Sequence, residues 1–485
     1  MRFLIALFII LSATSCASRG VSPDSEWSRV YLTDLQVARD AIGANHPGVV
    51  DRENPAFAAM LHSAYEEARE AAPQVADYDS YRVALARFAN RFQDAHLSIS
   101  FKKPFESLRE AGIAMAYRGD EMVVVDIDQR YGPHAGRLPG ASLASCDGVP
   151  WREHFERRVL SWRGRPSVEA DWYRLAPLLF VDYGSPSPEA PSRCRFIAGT
   201  RPIDLELQWT ATAQEQSLER GSEDARDLSL ERLGNGVLWV NVPTFSVNET
   251  EQVAKMRSLI EEFGTEMRRG GWRLVVFDLR GNDGGSSSWG HQFARALFGE
   301  EWTGQALQWL GDGVYTEWRV SPENVEAVAG HVRQAEQRHG AESEAAKRSR
   351  GFHATMSGAL ARGDVFWSVP RTRKDAALPQ PPPLPAKVVV VTGPSCFSAC
   401  LDFLDVLRAH PDVVHTGHTT GVDTVYMENW GKPLPSGHAS ISYPMKVYRN
   451  RRRGNNEAYI PHVRYPGRLE DTEALRNWIL AMQHR

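Results

Sequence analysis

The chain has 485 residues, and its 56 basic and 60 acidic side chains give a formal net charge of −4 at pH 7. Because no basic excess extends over a whole domain, nucleic acid is not expected as a partner. The length suggests about three domains. Neither a Cys-x-x-Cys nor a His-Glu-x-x-His pattern occurs in the sequence, so we predict that the protein has no metal site and no cofactor.

The first residues predict export from a bacterial cytoplasm. The apolar run from Phe3 to Leu11 is too short to span a bilayer stably, and it is followed by small and polar residues, as in a signal peptide. We expect residues 1–17 to be this signal. Lipidation of Cys16 after cleavage would give an outer-membrane lipoprotein, and the alternative is a soluble periplasmic protein cleaved near Ala17.

Residues 22–110 are predicted to form an N-terminal helical domain, because apolar residues recur at helical spacing in three runs. The runs begin at Trp27, Phe57 and Tyr81. The domain ends in the segment FQDAHLSIS, where helical periodicity gives way to alternation. His96 lies at this change, where a histidine is by default a hydrogen-bonded structural residue.

Residues 111–212 are predicted to form a β-rich module. The segment GRLPGASLASCDGVP, which starts at Gly136, resembles the Pro-Gly-Asp-x-Ile-x-x-x-Asp-Gly segment of PDZ domains. Such domains add a peptide strand to a sheet edge and bind its terminal carboxylate. Ala141 replaces the usual acidic residue, so a β-rich spacer is the alternative. The polar stretch 213–227 is expected to be a linker.

Residues 228–485 are predicted to form an α/β domain, because strands alternate with helical segments. The strand GVLWVNVPTF opens the domain at Gly236. A charged helical insertion, about residues 321–363, and a stiff proline-rich connector ending at Pro385 interrupt the alternation. The insertion is either a lid over the site or a solvated surface helix.

One chemically suggestive stretch, GWRLVVFDLRGNDGG, runs from Gly271 to Gly285. It is an apolar strand that enters a glycine-rich turn. Glycine allows positive φ and close backbone approach, so the N–H groups of such a turn could point at an oxyanion. A tight connection from strand to helix is the alternative, and a phosphate-binding loop is disfavoured because no Gly-Lys-Ser/Thr follows.

A second stretch, PAKVVVVTGPSCFSACLDFL, runs from Pro385 to Leu404 and has the same order of strand, turn and helix. It places Ser398 at a helix N-terminus, beside unpaired N–H groups and a dipole that favours negative charge. A nucleophilic serine would gain most at such a position. The alternative is that the serine only caps the helix.

Four cysteines remain beyond Cys16, an even number that suits an oxidising compartment. They are Cys146, Cys194, Cys396 and Cys400. A disulfide between the last two would bracket Ser398 and staple its turn. Spacing alone leaves open the alternative that they are free thiols packed as small apolar side chains.

The two stretches together resemble a known family. DLRGNDGG followed by VVVVTGPSCFSACLDF is similar to the paired motifs of the serine peptidases that include the carboxyl-terminal (tail-specific) processing proteases and the tricorn core protease. The resemblance implies a ClpP/crotonase-like α/β catalytic domain with Ser398 as nucleophile. It also implies an oxyanion hole formed by the N–H of Ala399 and that of Gly284 or Gly285.

The resemblance bears on the general base as well. Processing proteases carry a lysine after the serine, and here Asp423 stands near its place. An aspartate cannot replace a neutral amine, so a histidine is the remaining choice, with an unperturbed pKa of about 6.5. The segment QDAHL resembles the Asp-x-His-Thr/Leu segment of the tricorn-like branch and implies that His96 is the base. His418 is the rival nearer to Ser398 in sequence.

The tricorn type has two further site residues. A serine precedes its histidine, and here Ala95 stands in that place. A glutamate follows its nucleophile, and Glu457 has a suitable spacing to orient the base or hold water.

The predicted function is therefore that of an exported serine peptidase that hydrolyses peptide or protein substrates through a Ser-His acyl-enzyme mechanism. A non-catalytic protein that binds peptides or hydrophobic ligands on the same fold is one alternative. An esterase is the other.

Overall fold

A computed structural model describes residues 25–184, 189–212, 227–247, 249–369 and 375–482. The predicted signal peptide and nearly all of the predicted linker lie outside these residues. Among the residues described, no helix has the length and apolar character needed to cross a membrane.

Three helices open the described chain and pack through their apolar faces. They are α1 (Glu26–Asn45), α2 (Ala56–Glu70) and α3 (Tyr78–Asn90). The hydroxyl of Ser25 accepts a hydrogen bond from the N–H of Ser28 at the start of α1, and Asp77 and Ser80 form a capping box at α3. These caps satisfy N–H groups that a helix leaves without partners.

A β-rich region follows, with a few short helices on its sheets. Its strands are β2 (Arg109–Glu110), β3 (Ile113–Arg118), β4 (Glu121–Ile127), β5 (Ser142–Cys146), β6 (Val149–Pro150), β7 (Val181–Asp182), β8 (Arg193–Ala198), β9 (Arg201–Glu206) and β10 (Thr210–Ala211). Its helices are α4 (Trp151–Phe155), α5 (Ser161–Arg163) and α6 (Glu169–Leu175). The main sheet has the antiparallel order β3-β4-β5-β8-β9, and a disulfide joins Cys146 of β5 to Cys194 of β8.

The remaining chain is α/β. Its strands are β11 (Ser229–Leu233), β12 (Val237–Asn241), β13 (Leu274–Asp278), β14 (Tyr315–Arg319), β15 (Phe366–Ser368), β16 (Lys387–Thr392), β17 (Val413–Gly417), β18 (Tyr426–Pro433), β19 (Ala439–Arg449) and β20 (Val463–Arg464). Its helices are α7 (Thr250–Arg269), α8 (Ser287–Phe298), α9 (Glu300–Leu310), α10 (Pro322–His339), α11 (Glu344–Arg362), α12 (Ala399–Arg408) and α13 (Thr472–Met482).

The central sheet of this α/β region has the order β11-β12-β13-β16-β17-β20, and all of its pairs except β11 with β12 are parallel. Helices α7, α8, α9 and α12 cover one face and α13 covers the other. Parallel strands buried on both faces form continuous apolar runs, which explains the run from Val388 to Val391, where all four valines are buried. The predicted α/β fold class is confirmed.

A second sheet ties the beginning of the chain to its end. The strand β1 (Ser98–Phe101) pairs antiparallel with β19, with Ser98 opposite Ser442. Apolar residues of β19, among them Ile441 and Tyr443, also belong to the core of the three N-terminal helices. The segment that carries His96 is therefore fixed to the C-terminal region of the chain.

The predicted helical insertion corresponds to α10 and α11, which pack on each other and on Trp318 and Met445 of the second sheet. No residue of these two helices lines the cavity that contains Ser398. Their placement fits a pair of surface helices rather than a lid over that cavity.

Candidate active site

Ser398 lies in the turn between β16 and α12, at the carboxyl edge of the parallel strands. Its backbone has φ 54° and ψ −120°, a positive-φ conformation that costs free energy in a non-glycine residue and is often found at functional sites. Ser398 is the N-cap residue of α12, yet its hydroxyl accepts no hydrogen bond from the helix. The hydroxyl is thus not used as a helix cap.

The glycine-rich turn after β13 packs directly against this serine. A Cβ at Gly284 would lie 2.7 Å from the carbonyl oxygen of Phe397 and 2.9 Å from the Cβ of Ser398. A Cβ at Gly285 would lie 2.1 Å from the carbonyl carbon of Phe245. Both positions have positive φ, 98° and 127°, so only glycine permits this close approach of the two turns.

The N–H groups of the two glycines differ in their use. The N–H of Gly284 donates to Oδ1 of Asn282 at 3.0 Å, and the side chain of Asn282 is itself held by the carbonyl of Val242. Among the hydrogen bonds of the described residues, none uses the N–H of Gly285 or that of Ala399. Gly285 lines the same cavity as Ser398, and Ala399 follows the serine in the chain, so both N–H groups are available to a substrate.

His96 comes from the N-terminal domain and contacts the turn that carries Ser398. It is 7% exposed, and its ring centroid is 4.8 Å from that of Phe397, the residue before the serine. His96 and Ser398 line the same cavity, whose volume is about 650 Å³. No hydrogen bond joins the two side chains in this structure, and such bonds are often long before substrate binds.

The environment of His96 favours the neutral imidazole. Burial lowers the pKa of His96 below its ordinary value, and the carboxylates of Asp94 and Asp423 offset this effect incompletely. A general base must be neutral before it accepts a proton, so this balance suits the role.

His418, the other candidate for the base, does not line the cavity of Ser398. His418 lies in a different cavity, with its Nε2 3.3 Å from the carbonyl oxygen of Gly467 and its ring against Tyr173. Asp423, at the place of the lysine, is fully buried and pairs with Arg451 at 2.9 Å. The structure does not bring His418 to Ser398.

Glu457 is not beside His96 either. Its side chain is exposed, and Oε2 accepts a hydrogen bond from the N–H of Gly454 at 2.6 Å within its own turn. Glu457 does not line the cavity of Ser398. The spacing predicted that Glu457 orients the base or holds water, but its carboxylate is exposed and hydrogen-bonded within its own turn.

The disulfide between Cys396 and Cys400 brackets the serine and joins the turn to the first turn of α12. Both cysteines are fully buried. In this structure the two residues are paired, and the alternative of free thiols does not hold.

The rest of the cavity is lined by polar and apolar groups from several elements. They include Asp283, His291, Leu310, Val314, Met427, Lys446 and Tyr448. Within the described residues, no group of three or more His, Cys, Asp or Glu side chains could hold a metal ion.

Comparison with known proteins gives a structural match alone. No protein-family model matches the chain, and no curated protein matches it. A crystal structure of mature CPAF matches with a TM-score of 0.59 at 14% identity, covering 94% of this chain and 97% of that one. The structure of mature CPAF complexed with lactacystin matches with a TM-score of 0.58 at 15% identity, covering 95% and 99%.

The chain has the fold of CPAF. The tricorn protease, whose family the two sequence motifs resemble, is also among the matching structures, with a TM-score of 0.39 at 13% identity, covering 94% of this chain and 36% of that one.

Within this CPAF fold, the two motif turns are neighbours because β13 and β16 are adjacent parallel strands. Arg280 of the first motif is fully buried, binds the carboxylate of Asp278 and donates to the carbonyl of Leu469 shortly before α13. The Asp-Leu-Arg segment of the motif therefore supports the turn, while the Gly-Gly segment approaches Ser398.

Sequence reasoning did not single out Asp94 and Asn282, which support the site. Oδ1 of Asp94 accepts the N–H of His96 at 2.9 Å, and Asn282 fixes Gly284. Aspartate often accepts the N–H two residues further on in a turn. The QDAHL segment thus contained a local signal that Asp94 accepts the backbone N–H of His96.

Proposed function

We propose that the protein is a serine peptidase of the tail-specific and tricorn type, and that it cleaves peptide bonds through an acyl-enzyme. The observation that carries the proposal is the cavity shared by Ser398, whose backbone is strained, and the buried His96. The CPAF fold over nearly the whole chain supports it.

In the proposed reaction, Oγ of Ser398 attacks the substrate carbonyl. Nε2 of His96 takes the hydroxyl proton, because Nδ1 faces Asp94 at 3.8 Å, and returns it to the leaving amine. The N–H groups of Gly285 and Ala399 stabilise the oxyanion. We choose Gly285 over Gly284 because the N–H of Gly284 already donates to Asn282. Water, activated by the same histidine, then hydrolyses the acyl-enzyme.

A fluorophosphonate probe tests for an activated serine. We expect the wild-type protein to be labelled and Ser398→Ala not to be labelled. Ser395→Ala, in the same turn, is the matched control and should keep labelling. An unlabelled wild-type protein would contradict the proposal and favour the non-catalytic binding protein, and turnover of esters without turnover of peptides would favour the esterase.

We propose in addition that the protein is exported. Both disulfides among the described cysteines suit an oxidising compartment. Intact mass measured on membrane-extracted protein should show a lipid on Cys16 if the chain is an outer-membrane lipoprotein. A soluble species beginning after Ala17 would exclude the lipid anchor and leave export standing, and a full-length cytoplasmic chain would contradict export.

A further inference from the structure

Asp94 is a carboxylate buried behind the proposed base. Only 1% of its side chain is exposed, and no lysine or arginine of the described chain pairs with it. A buried carboxylate is costly unless neighbouring groups compensate for lost water. Its neighbours are two histidines and a threonine, so the compensation must come from them.

One oxygen of Asp94 holds the segment of His96. Oδ1 accepts the backbone N–H of His96 at 2.9 Å and the hydroxyl of Thr424 at 3.0 Å. Nδ1 of His96 lies 3.8 Å from the same oxygen. The carboxylate therefore fixes the position of the histidine and faces its Nδ1, which leaves Nε2 as the nitrogen without a carboxylate beside it.

The other oxygen of Asp94 faces a second histidine. Nε2 of His46, at the end of α1, lies 3.6 Å from Oδ2. Nδ1 of His46 accepts the N–H of Gly48 at 2.9 Å, so the proton of the neutral ring is on Nε2 and points at Asp94. The His46 ring is fully buried and stacks on Phe57, which holds its orientation.

His46, Asp94 and His96 form a row of buried side chains in that order. Three polar atoms of this row make no hydrogen bond: Nε2 of His46, Oδ2 of Asp94 and Nδ1 of His96. Nε2 of His46 faces Oδ2 of Asp94 at 3.6 Å, and Nδ1 of His96 faces Oδ1 at 3.8 Å, so both separations are slightly beyond hydrogen-bond length. A positive charge on His96 would draw the row together. The row is thus suited to the moment at which His96 holds the proton of the serine.

We propose that Asp94 is the positioning residue of His96 and that His46 in turn holds Asp94. Asp94 keeps the His96 proton on Nδ1, which leaves Nε2 for Ser398, and it stabilises the imidazolium. This inference rests on the proposed function. The N-terminal helical domain then supplies both the base and the residues that support it, and Glu457 has no role in orienting the base.

Burial raises the pKa of Asp94, but the facing His46 and His96 and the N–H of His96 outweigh it and keep the carboxyl ionised. Other charged groups also act on this row. Those acting on His96 from other segments are Asp423, Arg451 and Arg165, and His46 is also affected by Asp51.

Nitrogen NMR of protein labelled with ¹⁵N-histidine tests the row without any need for activity, and His96→Gln assigns the signal. We expect neutral His96 to carry its proton on Nδ1. In Asp94→Asn that tautomer should be lost and the pKa of His96 should fall, because the carboxylate that stabilised the imidazolium is gone. Asp79→Asn, which removes another buried carboxylate, in α3, is the matched control and should change neither quantity.

Kinetics provide the second readout. Asp94→Asn should lower kcat by roughly 10²- to 10⁴-fold with a small change in KM, and the acid limb of kcat/KM should move to lower pH. His46→Phe keeps a ring against Phe57 but removes the facing N–H, and it should lower kcat by about tenfold. His46→Gln restores a donor and should recover most of the loss.

Two results would overturn the inference: a wild-type His96 protonated on Nε2, or an unchanged tautomer and pKa in Asp94→Asn. A role of Asp94 in folding alone would lower stability without moving either quantity. If the wild-type protein reacts with no fluorophosphonate, the proposed function fails, while the NMR measurement still decides whether Asp94 sets the tautomer of His96.

Discussion

At the scale of single residues, the site depends on a turn that has no space for a side chain. A Cβ at Gly285 would overlap the backbone of Phe245, and the φ of 127° is unfavourable for any other residue. We expect Gly285→Ala to lower the free energy of unfolding by roughly 2–5 kcal/mol and to abolish fluorophosphonate labelling, because the N–H would leave its place beside Ser398. Urea denaturation and labelling measure the two effects.

Gly299 offers a control for the backbone strain. It also has positive φ, 87°, but a Cβ there would meet nothing within 4 Å. Gly299→Ala should therefore cost only the conformational strain, about 1–3 kcal/mol, and leave labelling unchanged. Equal losses of unfolding free energy and of labelling in Gly285→Ala and Gly299→Ala would show that the close approach of the turns is unimportant.

At the scale of elements, the two disulfides are expected to contribute differently to stability and to the shape of the site. The Cys396–Cys400 bridge spans four residues and the Cys146–Cys194 bridge spans 48. Loop-closure entropy predicts contributions of about 2 and about 4 kcal/mol to the free energy of unfolding. The short bridge should therefore matter less for stability than for the shape of the turn that holds Ser398.

We expect Cys396→Ser/Cys400→Ser to reduce fluorophosphonate labelling strongly with a small decrease in Tm. Cys146→Ser/Cys194→Ser should show the opposite pattern, with a larger decrease in Tm and labelling retained. Labelling rates and calorimetry on the two double variants provide the measurement. Retained labelling in the first variant would mean that α12 and the glycine turn hold Ser398 without the bridge.

The sequence predicted single elements of the site better than the contacts between elements that are distant in the chain. The strand, turn and helix around Ser398 and the glycine turn are local patterns, so periodicity and glycine placement were sufficient to predict them. The meeting of His96 with Ser398 depends on the pairing of β1 with β19, which no local pattern encodes, and only family resemblance indicated it. The direction of the Glu457 side chain depends on one hydrogen bond to Gly454, which spacing cannot predict.

At the scale of the whole molecule, buried histidines make stability depend on pH. Burial, aided by nearby arginine, lowers the pKa of His154 to about 4 and that of His415 to about 3. Below about pH 6.5 the unfolded chain binds protons that the native chain does not, so stability decreases as pH falls. For His154 alone, the loss between pH 6.5 and 5 is about 1.5 kcal/mol.

Unfolding measured across that window should therefore show a steep loss of stability, before most carboxylates titrate. His154→Gln should reduce the slope, and the exposed His62→Gln should not. A slope equal to that of the wild-type protein in His154→Gln would mean that this histidine is protonated in the native state.

The whole molecule is also needed to complete the site, because the proposed nucleophile and base come from opposite ends of the chain. The helices α1–α3 share a core with β19, and β1 pairs with β19 along its length. A protease site placed within residues 213–226 would divide the chain between the β-rich region and the α/β region. We expect the cut protein to stay associated and to keep fluorophosphonate labelling, because these contacts do not depend on the linker.

The two fragments can then be separated in denaturant and refolded individually. The C-terminal fragment contains Ser398, Gly285 and Ala399 but lacks His96. We expect it to remain unlabelled, and labelling should return when the N-terminal fragment is added. Addition of an N-terminal fragment that carries His96→Ala should restore association, seen by size-exclusion chromatography, without restoring labelling. A C-terminal fragment that is labelled by itself would show that the base lies within residues 228–485.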